Sequence, residues 1–159
     1  PKLRNLNFIY DYVEASSNQI EKWVELGILE ASESFSNLPQ SINYEDPHTG
    51  SVDARARAWL DVNCANCHQL GGPAQTSGLF LDFDQMNTKA LGIMKPPIAA
   101  GRGSGTHKYT IVPGDPEKSI MVYRINSTDP GIMMPELGRK LIHKEGLELI
   151  RQWIKEMNP

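Results

Sequence analysis

Apolar residues recur with a helical period in four stretches of the chain. In "SSNQIEKWVELG", Ile20, Trp23 and Val24 lie at i, i+3 and i+4, with Ser17 or Asn18 as cap and Gly27 where a helix stops. A second helix is predicted from near Ser51 through "VDARARAWLDVNCANC". Val52, Ala56, Trp59 and Leu60 form its inner face, and it delivers Cys64 at its C-terminal end. A third spans "PGDPEKSIMVYRIN", with Asp115 as cap and Pro116 at the first helical position. The last covers about Lys144 to Met157, with a stripe of Leu147, Ile150, Ile154 and Met157 and Trp153 beside it.

The intervening stretches have no such period. Residues 31–50 are polar with two prolines and predict a surface loop. Residues 69–110 are mostly irregular, apart from "GLFLDFD", which alternates briefly and predicts a short strand. "STDPGIMMPELGRK" is another loop. The pattern predicts an all-α chain of short helices and long loops, with an N-terminal arm over 1–50 and a domain over 51–159. Loops this long in a small domain call for something besides secondary structure to organise the core, and a large bound cofactor would do so.

Composition narrows the classes. The chain has 159 residues, 40% hydrophobic and 22% charged, with a net charge of −3. That balance excludes a general binder of nucleic acid or anionic membrane, which carries a basic excess. No apolar run approaches the ~20 residues of a membrane span. The opening "PKLRNLNF" is not a signal peptide, so a mature fragment or a piece of a longer chain is expected.

The only two cysteines, Cys64 and Cys67, precede His68 directly in "NCANCHQLGG". On a helical turn these three side chains share one face. Two thiols can add to the vinyl groups of a haem while the imidazole ligates iron from the same side, which is the physical content of C-x-x-C-H. Three other uses stay open. A structural zinc needs four ligands, and only His48, His107, His143 and scattered carboxylates remain to complete it. A thioredoxin-like pair needs a helix N-terminus after a strand, whereas this pair follows a helix. A Cys64–Cys67 disulfide would close a very small loop and stabilise little.

An iron held by His68 needs a partner on its other face. "GIMMPELG" offers Met133 and Met134 in a loop between helices, although filling gaps in a core is the commoner role of Met. Met134 precedes Pro135, which favours extended backbone and suits a side chain reaching inward. Met134 is the expected ligand and Met133 the alternative. Asp82 and Asp84 match two positions of a calcium loop, but the later ligands and glycine are missing. No catalytic constellation stands out, so the chain is not expected to be an enzyme.

"CANCH" with a downstream "MPELG" resembles class I-type monohaem cytochromes c, over roughly residues 51–157. The resemblance implies that the helix carrying the motif crosses the C-terminal helix closely, with Leu60 packing on haem and helix, Ala56 small enough for the crossing, and Trp153 as the expected aromatic. More closely, "LNFIYDYVEASSNQIEKWVELGIL", "DARARAWLDVNCANCHQLGGPA", "VPGDPEKSIMVYRI" and "MPELG" resemble the C-terminal haem domain of large secreted bacterial proteins. The stretch from His68 to Met134 is longer than in short soluble cytochromes c, and an arm of about 50 residues precedes the domain.

The resemblance implies electron transfer by one covalent haem c with His68 and Met134 as iron ligands. Its partner would be a redox protein or a fused dehydrogenase domain, in the bacterial periplasm or at the cell surface. The alternative is a haem enzyme or a gas or redox sensor whose sixth ligand is labile or missing. His68 should donate its second ring N–H to a backbone carbonyl after the motif, with Pro73, Ser77 and Gly78 as candidates. Arg102 and the Lys108–Tyr109 pair are the candidate partners of the haem propionates.

Overall fold

Caps decide where the helices begin. In the computed structural model, which describes residues 2–32, 35, 37–98 and 100–158, the Asn18 side chain accepts from the Ile20 and Glu21 amides and opens α1 (Gln19–Glu25). The chain leaves α1 through Gly27 at φ +69, where Ile28 N–H reaches back to the Trp23 carbonyl. Ser51 accepts from Ala54 N–H and opens α2 (Val52–Asn63). Asn87 accepts from Ala90 N–H and opens α3 (Thr88–Leu91), which Gly92 closes. Two further helices follow, α4 (Ile120–Ile125) and α5 (Lys144–Glu156).

The chain divides into two compact units, Pro1–Ile42 and Asn43–Pro159. In the first, β1 (Ile9–Asp11) pairs antiparallel with β2 (Ser16–Asn18), Tyr10 opposite Ser17, and α1 follows at once. The all-α expectation therefore gives way to short helices and long loops with one small hairpin. Its strands are three residues long and β1 is exposed throughout, so no alternation of apolar and polar positions announced it. Ile20 is the residue of α1 that is buried.

The second unit is built on the contact between α2 and α5. Ala56, Leu60, Ile150 and Ile154 are essentially without solvent contact there, joined by Trp59, Leu147 and Trp153. Burying each large apolar side chain stabilises the fold by about 1.5–3 kcal/mol. The two indoles also cross-link the helices: Trp153 Nε1 donates to Asp53 at 2.7 Å and Trp59 Nε1 donates to His143 Nδ1 at 3.0 Å. Gly146 is required by proximity, because a Cβ there would overlap the Trp59 indole and the His143 ring.

Two stretches depart from the sequence-based expectation for a common reason: a buried polar group takes the backbone elsewhere. Residues predicted as one helix after Asp115 form a short 3-10 turn (Pro116–Lys118) and then α4. Ser119, fully buried between them, donates its hydroxyl to Asp115 O and accepts Val112 N–H, which holds its backbone extended. "GLFLDFD" forms no strand. Its amides go to separate partners: Phe80 to Ala90 O, Leu81 to His68 O and Phe83 to the buried Asp61 carboxylate. Arg57 of α2 clamps the Phe83 and Gln85 carbonyls from the other side.

Candidate functional site

Helix α2 stops at Asn63, but the chain keeps turning. Cys64 N–H still bonds Leu60 O, and Cys67 and His68 amides both bond Cys64 O at 3.1 and 2.9 Å. This extra turn places Cys64, Cys67 and His68 together on one face. Ala65, fully buried, anchors it in the core, and Cys64 packs against the same cluster. Both thiols are free. Burial, with Cys67 adding to it, pushes the Cys64 thiol up to about 12 and the nearby Arg139 only partly opposes this. A thiol so disposed is neutral, the reverse of an activated redox cysteine. Among the described residues no group of three or more His, Cys, Asp or Glu side chains converges as a metal site.

The ring of His68 is oriented by the loop that follows. Its Nδ1 lies 3.3 Å from the Ser77 hydroxyl. That hydroxyl donates its one proton to Ala74 O at 2.7 Å and accepts Leu79 N–H at 3.2 Å. With its proton committed, Ser77 Oγ faces the imidazole with a lone pair, so Nδ1 carries the hydrogen and Nε2 keeps its own lone pair. Burial lowers the His68 pKa, a backbone hydrogen bond at Leu79 opposes this, Arg124 lowers it further and Glu136 raises it. The carbonyls of Pro73, Ser77 and Gly78 were the expected partners. The contact of Nδ1 within hydrogen-bond distance is the Ser77 side-chain hydroxyl.

The loop bearing Met133 and Met134 is hung on arginines. Arg124 Nε donates to Ile132 O at 2.8 Å, and the Arg124 carbonyl accepts Met134 N–H at 3.1 Å. Arg139 Nη2 donates to Ser127 O at 2.6 Å and to Arg124 O. Met133 N–H bonds Asp129 O, and the Asp129 carboxylate pairs with Arg102 at 2.6 Å. The Met134–Pro135 peptide is cis. Both methionines are half-buried. Charged residues flanking them face the motif: Arg124 and Glu136 act on His68, and Arg139 acts on Cys64.

Cys64, Cys67 and His68 thus share one turn, the residues that act on them electrostatically belong to or hold the Met133–Met134 loop, and exposed Arg102 is tied to that loop through Asp129. Tyr109 is half-buried, and its backbone bridges to Ser119. His48 is exposed, and His107 tilts against Tyr123 beside a cleft of ≈ 260 Å³ that none of the motif residues lines. Sequence reasoning missed Arg124, Glu136 and Arg139. Their only sequence signal is that two arginines flank "GIMMPELG". The Nε of Arg139 is buried and, among the described residues, has no hydrogen-bond partner. Around these loops Leu70, Leu137 and Leu141 are each more than 80% exposed.

No protein family, curated protein or solved structure matches this chain.

Proposed function

We propose that residues 43–159 form a cytochrome c-like domain that carries one covalent haem c and transfers electrons. Cys64 and Cys67 would be its tethers, and His68 and Met134 its iron ligands. The observation that carries the reading is the His68 ring, whose Nδ1 lies 3.3 Å from the Ser77 hydroxyl on the same turn as two free thiols; an Nδ1–H directed at Ser77 would leave the Nε2 lone pair for a metal. The donor set and its surroundings fit such a group. The orphaned Nε of Arg139 asks for an anionic partner such as a propionate. The exposed leucines supply apolar surface that a porphyrin would cover.

When bound, the haem supplies a ferric/ferrous couple whose potential a His/Met ligand pair raises. The chain's residues do the rest. The Ser77 hydroxyl would fix the imidazole. Arg124 and Asp129 hold the backbone of the methionine loop in place. Arg139, rather than the already paired Arg102, offers a donor to a propionate. Outer-sphere electron transfer needs no acid, base or nucleophile. Thioether attachment takes place outside the bacterial cytoplasm, so the domain would work in the periplasm or at the cell surface, with a redox protein or a fused dehydrogenase domain as partner. The adjacent Met133 favours the second reading, a haem protein whose sixth ligand can exchange.

The test is expression with the cytochrome c maturation machinery, followed by absorption spectra of the wild type, Met134→Ala and Met133→Ala. Electron transfer with Met134 ligation requires a covalent haem band and loss of the Met-to-iron charge-transfer band in Met134→Ala alone. A colourless wild type would remove the haem reading. An unchanged Met134→Ala spectrum would remove the ligand assignment.

A further inference from the structure

Lys95 does not extend into water as lysines ordinarily do. It is half-buried, and its Nζ donates to the main-chain carbonyl of Ser77 at 2.8 Å. Ser77 is the residue whose hydroxyl orients His68. Much of the surrounding chain is arranged to deliver this lysine. Gly92 adopts φ +107, with no room for a Cβ against Leu79 and Thr110. Met94, a non-glycine, sits in the left-handed region at φ +48, a conformation that L side chains rarely adopt. Its carbonyl is held by Lys89 Nζ at 2.8 Å and its amide by Ile111 O at 2.9 Å. The Lys95 carbonyl in turn accepts both the amide and the hydroxyl of Thr110. The side chain then lies along Gly78, where a Cβ would meet Lys95 Cε at 3.5 Å. A strained backbone and an immobilised ammonium are together more than a loop needs merely to close.

We propose that Lys95 is a positioning residue that acts on His68 through Ser77 and tunes the potential of the haem iron. The inference rests on the haem reading above. The ammonium is a fixed positive charge bonded to the same residue that partners the imidazole. It opposes the extra positive charge of the ferric state and so favours ferrous iron. The Ser77 hydroxyl acts in the opposite sense. By accepting the Nδ1 hydrogen it makes His68 a more basic ligand, and a more basic ligand favours ferric iron. The two halves of one residue, its carbonyl under Lys95 and its hydroxyl on His68, therefore pull the couple in opposite directions.

The experiment is redox titration of the matured, haem-loaded chain. Lys95→Met should shift the ferric/ferrous equilibrium about tenfold toward ferric, about 59 mV lower for one electron. Lys95→Arg, which keeps the charge, should stay within about twofold of the wild type. Ser77→Ala should move the potential up by about threefold in the same constant, with faster exchange of the His68 Nδ1 proton in the NMR spectrum. A lysine that only braces the loop would lower thermal stability in Lys95→Met and leave the potential where it was, which overturns the proposal. If Lys95→Met does not fold, the sign of Ser77→Ala and the potential of Lys95→Gln decide: a fall in Ser77→Ala or no change in Lys95→Gln overturns it. A wild type that takes up no haem removes the reading beneath it, whereas a haem-loaded wild type with an unmoved Lys95→Met potential removes this inference alone.

Discussion

The α2–α5 contact and the loops around Cys64–His68 are held together in opposite ways. At the helix crossing, side chain packs on side chain, and Ala56, Leu60, Ile150 and Ile154 have lost essentially all contact with solvent. In the loops, long cationic side chains grip main-chain carbonyls: Arg57 on Phe83, Lys95 on Ser77, Arg124 on Ile132 and Arg139 on Ser127. Meanwhile Leu70, Leu137 and Leu141 stay in water. The crossing is complete as a hydrophobic core. The loops have many of their backbone carbonyls held but leave apolar side chains exposed.

The sharpest way to test that contrast is to damage each side and ask whether cofactor loading matters. Ile150→Ala removes a fully buried side chain and should destabilise the chain by about 2–5 kcal/mol in urea titration, with or without haem. Gly146→Ala drives a methyl group into the Trp59 indole and should lower stability by about 1–3 kcal/mol, again independently of haem. Leu137→Ser should change the haem-free chain by no more than about 0.5 kcal/mol, because the side chain is already in water. If the loops close over a cofactor, the same substitution should weaken the loaded form measurably more. Equal effects in both forms would break the comparison.

Two smaller effects follow from charge. In the haem-free chain at mildly alkaline pH, exposed Cys67 should alkylate well before Cys64, whose thiol is pushed up to about 12; mass spectrometry of partly labelled protein reads the order. Asp115 caps the turn before α4, and its hydrogen bond with the Lys118 side chain holds its carboxyl below the ordinary value. Such a group contributes stability that is present above the unfolded-state pKa and lost as pH falls through the folded one. Asp115→Asn should therefore lower stability slightly at neutral pH, leave the acid value almost untouched and so flatten the acid limb; urea titrations at the two pH values read the difference.

The parts of the fold legible from sequence are those whose causes are local. Helices α1, α2 and α5 have a cap, a period of apolar residues or both within their own span. Helix α3 has Asn87 and Gly92 at its ends, but only four residues between them, too few to show a period. The helix after Asp115 was overrun because what divides it is the buried hydroxyl of Ser119, and burial is not a local property. The site divides along the same line. Cys64, Cys67 and His68 lie within one turn, so their spacing carries their geometry. The arginine struts leave no comparable trace, because a guanidinium bonded to a backbone carbonyl places no demand on the identity of the residue it holds. Arg139 is the clearest instance: it reaches Ser127 and faces Cys64, and neither is close to it in sequence.

Arg124 holds one loop at two points, its guanidinium on the Ile132 carbonyl and its own carbonyl under the Met134 amide. The last turn of α4 and the methionine loop are therefore fastened as a single mechanical unit, so the Met134 amide cannot be released to solvent without loosening the end of that helix. In hydrogen exchange the Met134 N–H should open with the C-terminal turn of α4 rather than at the free rate of a surface loop. Any movement that a docking partner imposes on α4 would then reach the methionines directly, along one side chain.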